Sequence, residues 1–416
     1  MSEPVQKILV LNQFAWPDAA ATAQLLDDVV RSLGTRPDVK ITIVSGAKPY
    51  REGVHNAPPP ANLVRIPGPP VGRSRYGRLL SWITYYLGVI AYCLVGPRHD
   101  VVISMTTPPL LSFAGWLAQR IRGSRHVIWE MDVYPDIVEA AGMARQGGWM
   151  MQRFRDRAND LRKSADSVLV LGSCMKKRLA QQGVPERKLV VCENWATFHG
   201  SPFCPPSMPV RPIRLLYSGN LGVAHDVDTL KDALLRLSSL PEAEDRFQLV
   251  VAADGGRRKE LELWCENQRT NLVHFAPLVS REELAERLAS CHLGLVTQTK
   301  ESLGCVVPSK FYGLLAAGRP VLYVGPSDSE VGQVIQRTEC GFVVEPGDSN
   351  ALVELLLDLE RNPSLLDACG KRAFALGASS YSTAAGVARI QAALEPILAR
   401  SATTDAEAVL KMSYSR

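Results

Sequence analysis

Three absences constrain the chain first. Its 416 residues contain no CxxC pair, no GxGxxG loop and no basic leader followed by a long apolar run. Nine cysteines at irregular spacings form neither a disulfide framework nor a zinc-ligand pattern, and they read as free thiols in a reducing compartment. Without a glycine fingerprint and a downstream acid, an NAD-dependent dehydrogenase is disfavoured. The opening MSEPVQKILVL runs straight into a strand pattern, so the expectation is no signal peptide and a cytoplasmic protein. Charge of either sign is not in large excess. Lys and Arg number 47 against 42 Asp and Glu, a net +5, which gives no reason to expect nucleic acid as a partner.

What is present is an ordinary globular composition, 46% hydrophobic and 21% charged, long enough for two domains with their own cores. Short apolar runs alternate with helical periodicity. KILVL (7–11), ITIVSG (41–46), DVVISM (100–105), RHVIWEMD (125–132), SVLVLG (167–172) and KLVVCEN (188–194) read as buried strands. Between the first two, Ala23, Leu26, Val29, Val30 and Leu33 recur at helix spacing. The proline-rich stretch 197–212 has no period and reads as a linker. The pattern then restarts with RLLYSGN, FQLVVAADG, NLVHFAPLV, LGLVTQT and RPVLYVG. Buried strands separated by helices predict parallel sheets. The predicted organisation is a domain over 1–196, the linker, a second domain over 213–376, a helical segment over 377–400 returning to the first domain, and a tail over 401–416.

Polar residues collect at the predicted carboxyl ends of these strands, where open α/β sheets bind ligands. Ala20, Ala21 and Thr22 open the first helix, and small residues there let an anion approach free N–H groups; an ordinary capped turn reads equally well. Asp132 and Asp136 flank Pro135 after a strand, facing the crevice or serving as turn and cap. Gly219 and Gly222 in YSGNLGVAHD allow close backbone approach to a phosphate, with His225 just beyond. Asp254 and Gly255 repeat that design before Arg257 and Arg258. The densest segment, KESLGCVVPSKFYGLLAAGRPVL (300–322), holds Glu301, Ser309 and Lys310. Lys310 near a helix start adds positive charge to an already positive dipole, a conflict that an anionic ligand would relieve.

Taken in order, MTTPPLL, DVYPD, SCMKKRLAQQGVPERKLVVCEN, YSGNLG, AADGG, FAPLVSREELAERLASCHLGLV and PSKFYGLLAAGRPVL resemble the GT4 glycosyltransferases over about residues 7–395. The similar branch includes colanic-acid, capsule and O-antigen sugar transferases. The resemblance implies an α/β GT-B fold of two Rossmann-like, doubly wound parallel-sheet domains facing a central cleft. It implies a retaining transfer from a nucleotide-diphosphate sugar to a saccharide or lipid-linked acceptor, with no obligatory metal or other cofactor. By that likeness Asp132 and Lys310 are the catalytic candidates. Gly219, Asn220, Leu221, Gly222, Asp254, Gly255, Pro277, Leu278, Glu301, Ser309 and Lys310 lie on the donor side. Ala20, Ala21, Thr22, His225 and Asp136 lie toward sugar or acceptor. One departure stands out: Cys305 and Gly313 occupy the positions of two glutamates usual in the family, so the usual ribose clamp is in doubt, with Glu301 as a substitute. A nucleotide-sugar 2-epimerase and an inactive partner of the same fold are the alternatives.

Residues 53–99 carry five arginines and no acid, around the apolar run LLSWITYYLGVIAYCLVG (79–96). Serine, threonine, tyrosines and glycines dilute this run, which argues against a transmembrane helix. Two readings remain. One is a core helix that packs Leu79, Trp82, Ile83, Tyr86, Leu87, Ile90 and Leu94 on the sheet. The other is an interfacial helix giving residues 65–98 a peripheral contact at the inner face of the cytoplasmic membrane.

Overall fold

The computed structural model describes residues 5–47, 57–70, 75–197 and 211–413. The larger part of the proposed linker, residues 198–210, lies outside the described residues, as do 53–56 and 71–74 of the basic segment and 414–416 of the tail. The described residues form two compact units, one within Met1–Pro135, Gly147–Glu193 and Gly386–Arg416, the other within Asp136–Gln146 and Asn194–Ala385.

In the first unit the elements run β1 (Gln6–Leu11), α1 (Ala21–Leu33), β2 (Val39–Gly46), β3 (Asn62–Ile66), α2 (Arg75–Val95), β4 (Val101–Ser104), α3 (Ser112–Arg122) and β5 (Arg125–Glu130). The short α4 (Asp136–Ala140) clusters with the second unit, and the chain returns for α5 (Trp149–Ser164), β6 (Ser167–Val170), α6 (Ser173–Gln181) and β7 (Leu189–Val191). All strands pair in parallel, in the order β3-β2-β1-β4-β5-β6-β7. Helices on both faces explain why Ile8, Leu9, Val10 and Leu11 are all buried instead of alternating.

The second unit runs β8 (Ile213–Asn220), α7 (Asp228–Ser238), α8 (Ala243–Arg246), β9 (Phe247–Asp254), α9 (Gly256–Gln268), β10 (Val273–Ala276), α10 (Arg281–Ala289), β11 (Leu293–Thr297), α11 (Lys310–Ala316), β12 (Val321–Val324), α12 (Glu330–Thr338), β13 (Gly341–Val344), α13 (Ser349–Arg361) and α14 (Ser364–Ala378). Its parallel sheet has the order β10-β9-β8-β11-β12-β13. The last helix, α15 (Thr383–Ser413), carries its later turns into the first unit. There Glu395 pairs with Arg36 at 2.9 Å and Gln391 donates to Ser32 Oγ at 3.1 Å. In each sheet the strand order reverses direction once, between β1 and β4 and between β8 and β11. Such reversals open a crevice at the carboxyl ends of the strands.

Two edge strands were not legible in the pattern, β3 and β13. The residues of β3 are only partly covered, and an edge strand does not need the continuous apolar run of a central one. The core-helix reading of α2 also needs correction. Its buried seam is Ser81, Tyr85, Val89 and Cys93, with Ser81 accepting from Gln13 Nε2 and the Tyr85 hydroxyl donating to the Val44 carbonyl at 2.8 Å. Leu79, Ile83, Leu87 and Leu94 point outward, Leu87 being 64% exposed. The packed side is the one whose polar atoms find partners on the sheet, which hydrophobicity alone does not select. By length and composition alone α2 is apolar enough to cross a membrane, yet this seam is packed in the core.

Candidate functional site

The β8/β11 reversal carries the clearest constellation. Strand β8 ends in Gly219 and Asn220, and Gly219 adopts φ +121°, a conformation that side chains disfavour. A Cβ built on Gly219 would stand 3.1 Å from Lys310 Cε, so the glycine also leaves room for that side chain. The loop is fixed from beneath: Leu221 N–H donates to the Asp254 carbonyl at 2.6 Å, and Arg257 N–H to the Leu221 carbonyl at 3.2 Å. Gly255, at φ +115°, is needed for this approach, because a Cβ there would meet the Leu221 carbonyl oxygen at 2.4 Å. The loops after β8 and β9 are thereby one unit, with Asn220 and Asp254 exposed.

Lys310 begins α11 and reaches back over β8. Its ammonium lies 5.0 Å from the Tyr217 ring centroid and 3.5 Å from His225 Nε2. The Tyr217 hydroxyl donates to the Asn220 carbonyl at 2.7 Å, tying that ring to the glycine loop. His225 Nδ1 sits 2.7 Å from the Thr297 carbonyl. A carbonyl only accepts, so Nδ1 carries the proton and Nε2 presents its lone pair to Lys310. Desolvation, then the neighbouring ammonium, push the His225 pKa down to about 3, and desolvation pulls Lys310 down to about 7. Among the described residues Lys310 makes no ion pair with a carboxylate. A half-buried cation so placed is an electrostatic vacancy for an anion.

The other donor-side residues occupy the same unit. Glu301 and Ser309 are exposed, Glu301 in a 3-10 turn over Lys300–Ser302 and Ser309 directly before Lys310. Pro277 and Leu278 follow β10. His225 lies beside Lys310 in the second unit, and Ala20, Ala21 and Thr22 belong to the first. Asp136 is buried in the first turn of α4, in that same unit.

In the first unit Asp132 follows β5. Its backbone N–H and that of Met131 both approach Thr106 Oγ1 at 3.3 Å, holding the loop beside the end of β4. Burial, and secondarily the Glu130 charge, raise the Asp132 carboxyl to about 6, the range suited to exchanging a proton near neutrality. The sequence reading missed the support beneath it. Glu130 and Arg162 form a buried two-pronged pair at 2.7 and 3.0 Å, and Arg162 also donates to Asn159 Oδ1 and to the Tyr134 carbonyl. Glu130 was available in the EMD run, but its partner is 32 residues away on α5. Ala20 N–H donates to Asp18 Oδ1 at 2.9 Å at the start of α1. Among the described residues no group of three or more His, Cys, Asp and Glu is arranged to hold a metal.

The glycosyl transferases group 1 model matches residues 207–375, and the glycosyl transferase 4-like domain model matches residues 22–195. The chain is 27% identical over 272 residues to WbjE of Pseudomonas aeruginosa, covering 62% of this chain and 66% of that protein. It is 24% identical over 272 residues to WcaI of Escherichia coli K12, covering 62% and 65%. Both names assign their proteins provisionally to glycosyl transfer, and WcaI to colanic acid biosynthesis. The chain thus spans just under two-thirds of the length of these relatives. The solved structure of Anabaena HepE with UDP and glucose shares the fold at a TM-score of 0.67 and 15% identity, over 94% of this chain and all of that one. With successive models covering its two halves in order, and paired parallel sheets of the GT-B type beneath them, the chain belongs to the GT4 glycosyltransferases, the family described as glycosyl transferases group 1.

Proposed function

We propose that this protein transfers a sugar from a nucleoside-diphosphate sugar to a saccharide acceptor, with retention at the anomeric carbon, in the synthesis of a bacterial surface polysaccharide. The observation that carries this reading is the ammonium of Lys310, unmatched by a carboxylate among the described residues and set over a glycine loop at the β8/β11 reversal. As the glycosyl–oxygen bond breaks, negative charge grows on the departing diphosphate. Lys310 and the Gly222 N–H neutralise that charge. Asn220, Leu221, Asp254, Gly255, Pro277, Leu278, Glu301 and Ser309 complete the donor side in this reading. Asp132, Asp136, Ala20, Ala21 and Thr22 serve the transferred sugar or the acceptor. Charge neutralisation by the chain itself makes a metal unnecessary. The UDP held by HepE supports a uridine nucleotide as the first to try.

The exposed apolar side of α2 supports a lipid-linked acceptor met at the inner face of the cytoplasmic membrane. Tyr76, Leu79, Leu80, Ile83 and Leu87 all face outward, with Arg78 among them and no acid within 53–99. Vesicles containing anionic lipid should co-sediment the protein, and Ile83→Asp with Leu87→Asp should abolish this.

The deciding experiment pairs a thermal-shift screen of UDP and GDP with a transfer assay under chelation. One nucleotide at about a hundred times its Kd should stabilise the fold by about 2.7 kcal/mol. Labelled sugar should reach acceptor with EDTA present, and NMR of the product should show the donor's anomeric configuration. Neither nucleotide stabilising the protein would end the proposal.

A further inference from the structure

A chain of buried hydrogen bonds runs beneath the loop that leads to Lys310. It begins at the cap of α12, where Ser329 Oγ accepts from the Gly332 N–H at 3.1 Å and lies 2.8 Å from the Tyr323 hydroxyl. That hydroxyl is 2.6 Å from Oε1 of Gln298, the residue that follows β11. Gln298 Nε2 reaches the carbonyls of Ser302 and Val306, at 3.1 and 3.3 Å. Carbonyls only accept, so Nε2 faces them and Oε1 faces Tyr323. Tyr323 must then donate to Gln298, and Ser329 to Tyr323. Every proton in the chain points toward the loop. Ser329, Tyr323 and Gln298 are each at most 1% exposed. A Cβ on Gly325 would stand 2.3 Å from the Tyr323 ring, so the end of β12 is shaped around that ring.

The loop held in this way is tied to both sides of the donor site. Thr299 N–H donates to the Ala224 carbonyl at 2.9 Å. The next residue, His225, is fixed through Nδ1 to the Thr297 carbonyl. Gln298 therefore stands between the anchor of His225 and the stretch that enters α11. Ser309 gives α11 no side-chain cap, and the helix has only seven residues. Its start is set by the loop before it, and Lys310 is its first residue.

We propose that Gln298 is a positioning residue for the donor site. By clamping the Ser302 and Val306 carbonyls it sets where α11 begins, and so where the Lys310 ammonium stands against His225 and Tyr217. The inference rests on the reading of Lys310 as the cation that meets the donor diphosphate. Without the amide, two carbonyls and the Tyr323 hydroxyl lose their partner, and the loop opens to water to satisfy them. Water at the Lys310 side chain then favours its charged form.

The test compares wild type with Gln298→Met, which keeps the length and removes the amide, and with Tyr323→Phe, which keeps the amide and removes only its support. Titration by NMR of the full chain labelled at lysine Cε, with Lys310→Arg identifying the resonance, reads Lys310 without any ligand. Calorimetry reads the Kd of UDP and GDP. His225 and Tyr217, which face the ammonium, are unchanged in both variants. In Gln298→Met the Lys310 midpoint should rise from about 7 by about one unit toward its ordinary 10.5. The Kd of the nucleotide that binds wild type should rise about tenfold. Tyr323→Phe should move both readings the same way by less. Either reading unchanged in a folded Gln298→Met, whatever its melting temperature, would make Gln298 a purely structural residue and overturn the inference. Should Gln298→Met not fold, the same two readings on Tyr323→Phe decide, and no shift there overturns it. Wild-type protein that binds neither nucleotide would end the transferase reading instead, while a raised Lys310 midpoint in Gln298→Met would still place Gln298 in control of that side chain.

Discussion

The two units treat charge in opposite ways beneath the loops that follow their strands. In the first, a buried cation is consumed: Arg162 and Glu130 neutralise each other in the core, and the pair holds the loop that carries Asp132. In the second, Lys310 has no counterion among the described residues and stands against an aromatic ring and a neutral imidazole. A satisfied buried pair contributes position, whereas an unsatisfied cation contributes affinity for an anion yet to arrive. One charge is structural and the other functional, though both sit under loops that follow parallel strands.

The largest expected effect breaks the structural side. Arg162→Met strands the Glu130 carboxylate in the core and should lower unfolding free energy by about 3–5 kcal/mol. Replacing both partners with apolar residues should recover much of that loss. Denaturant titrations of the single and double variants measure the difference, and a single variant as stable as the wild type would refute the structural role of the pair. Lys310→Ala, by contrast, should leave the fold intact and cut turnover by about 10²–10³-fold. Equal damage to stability and turnover in both variants would erase the distinction between the units.

Gly219→Ala sharpens the comparison next. The new Cβ meets the Lys310 stem from a backbone conformation costing about 1–3 kcal/mol. Donor KM should rise together with the loss of stability, because glycine and lysine define the same space. A change in stability with donor KM untouched would separate the loop from the diphosphate.

How far these roles were legible in the sequence depends on the distance over which each is written. The central strands, the β8 glycine loop and the Lys310 segment are local features, and periodicity or a short motif reveals them. The Glu130–Arg162 pair spans 32 residues, and the Tyr217–His225–Lys310 cluster joins segments 85 residues apart at its widest hydrogen bond. Only the sheet order brings such residues together. Which face of α2 packs stayed open in the sequence for a related reason. Burial there follows polar atoms on the sheet that the helix sequence does not contain.

A smaller effect concerns pH. With Asp132 raised to about 6, kcat/KM should fall about tenfold per unit below pH 6 if the reaction needs the carboxylate. Asp132→Asn should flatten that limb. The limb above pH 7, where free Lys310 loses its proton, should persist in Asp132→Asn. It should lie at higher pH in kcat than in kcat/KM, because a bound diphosphate favours the charged ammonium. An acid limb unchanged in Asp132→Asn would return Asp132 to a turn residue.

The smallest effect is a stability difference that reverses with ligand. The Lys310 pKa falls from its ordinary 10.5 to about 7 in the folded protein. Above pH 10.5 the group is neutral in folded and unfolded chains alike, and no penalty exists. As pH falls toward 7 the unfolded chain takes up a proton that the folded chain resists, so stability declines, and below 7 the penalty is constant. Lys310→Met removes it. Discounted for partial exposure, that penalty is on the order of 1 kcal/mol. The variant should therefore melt above the wild type at pH 6 and match it near pH 10.5. Saturating nucleoside diphosphate should invert the order at pH 6, because only the wild type gains the ion pair. A variant that stays the more stable of the two with ligand bound would mean that Lys310 does not meet the diphosphate, and the contrast between the two units would then lack its functional half.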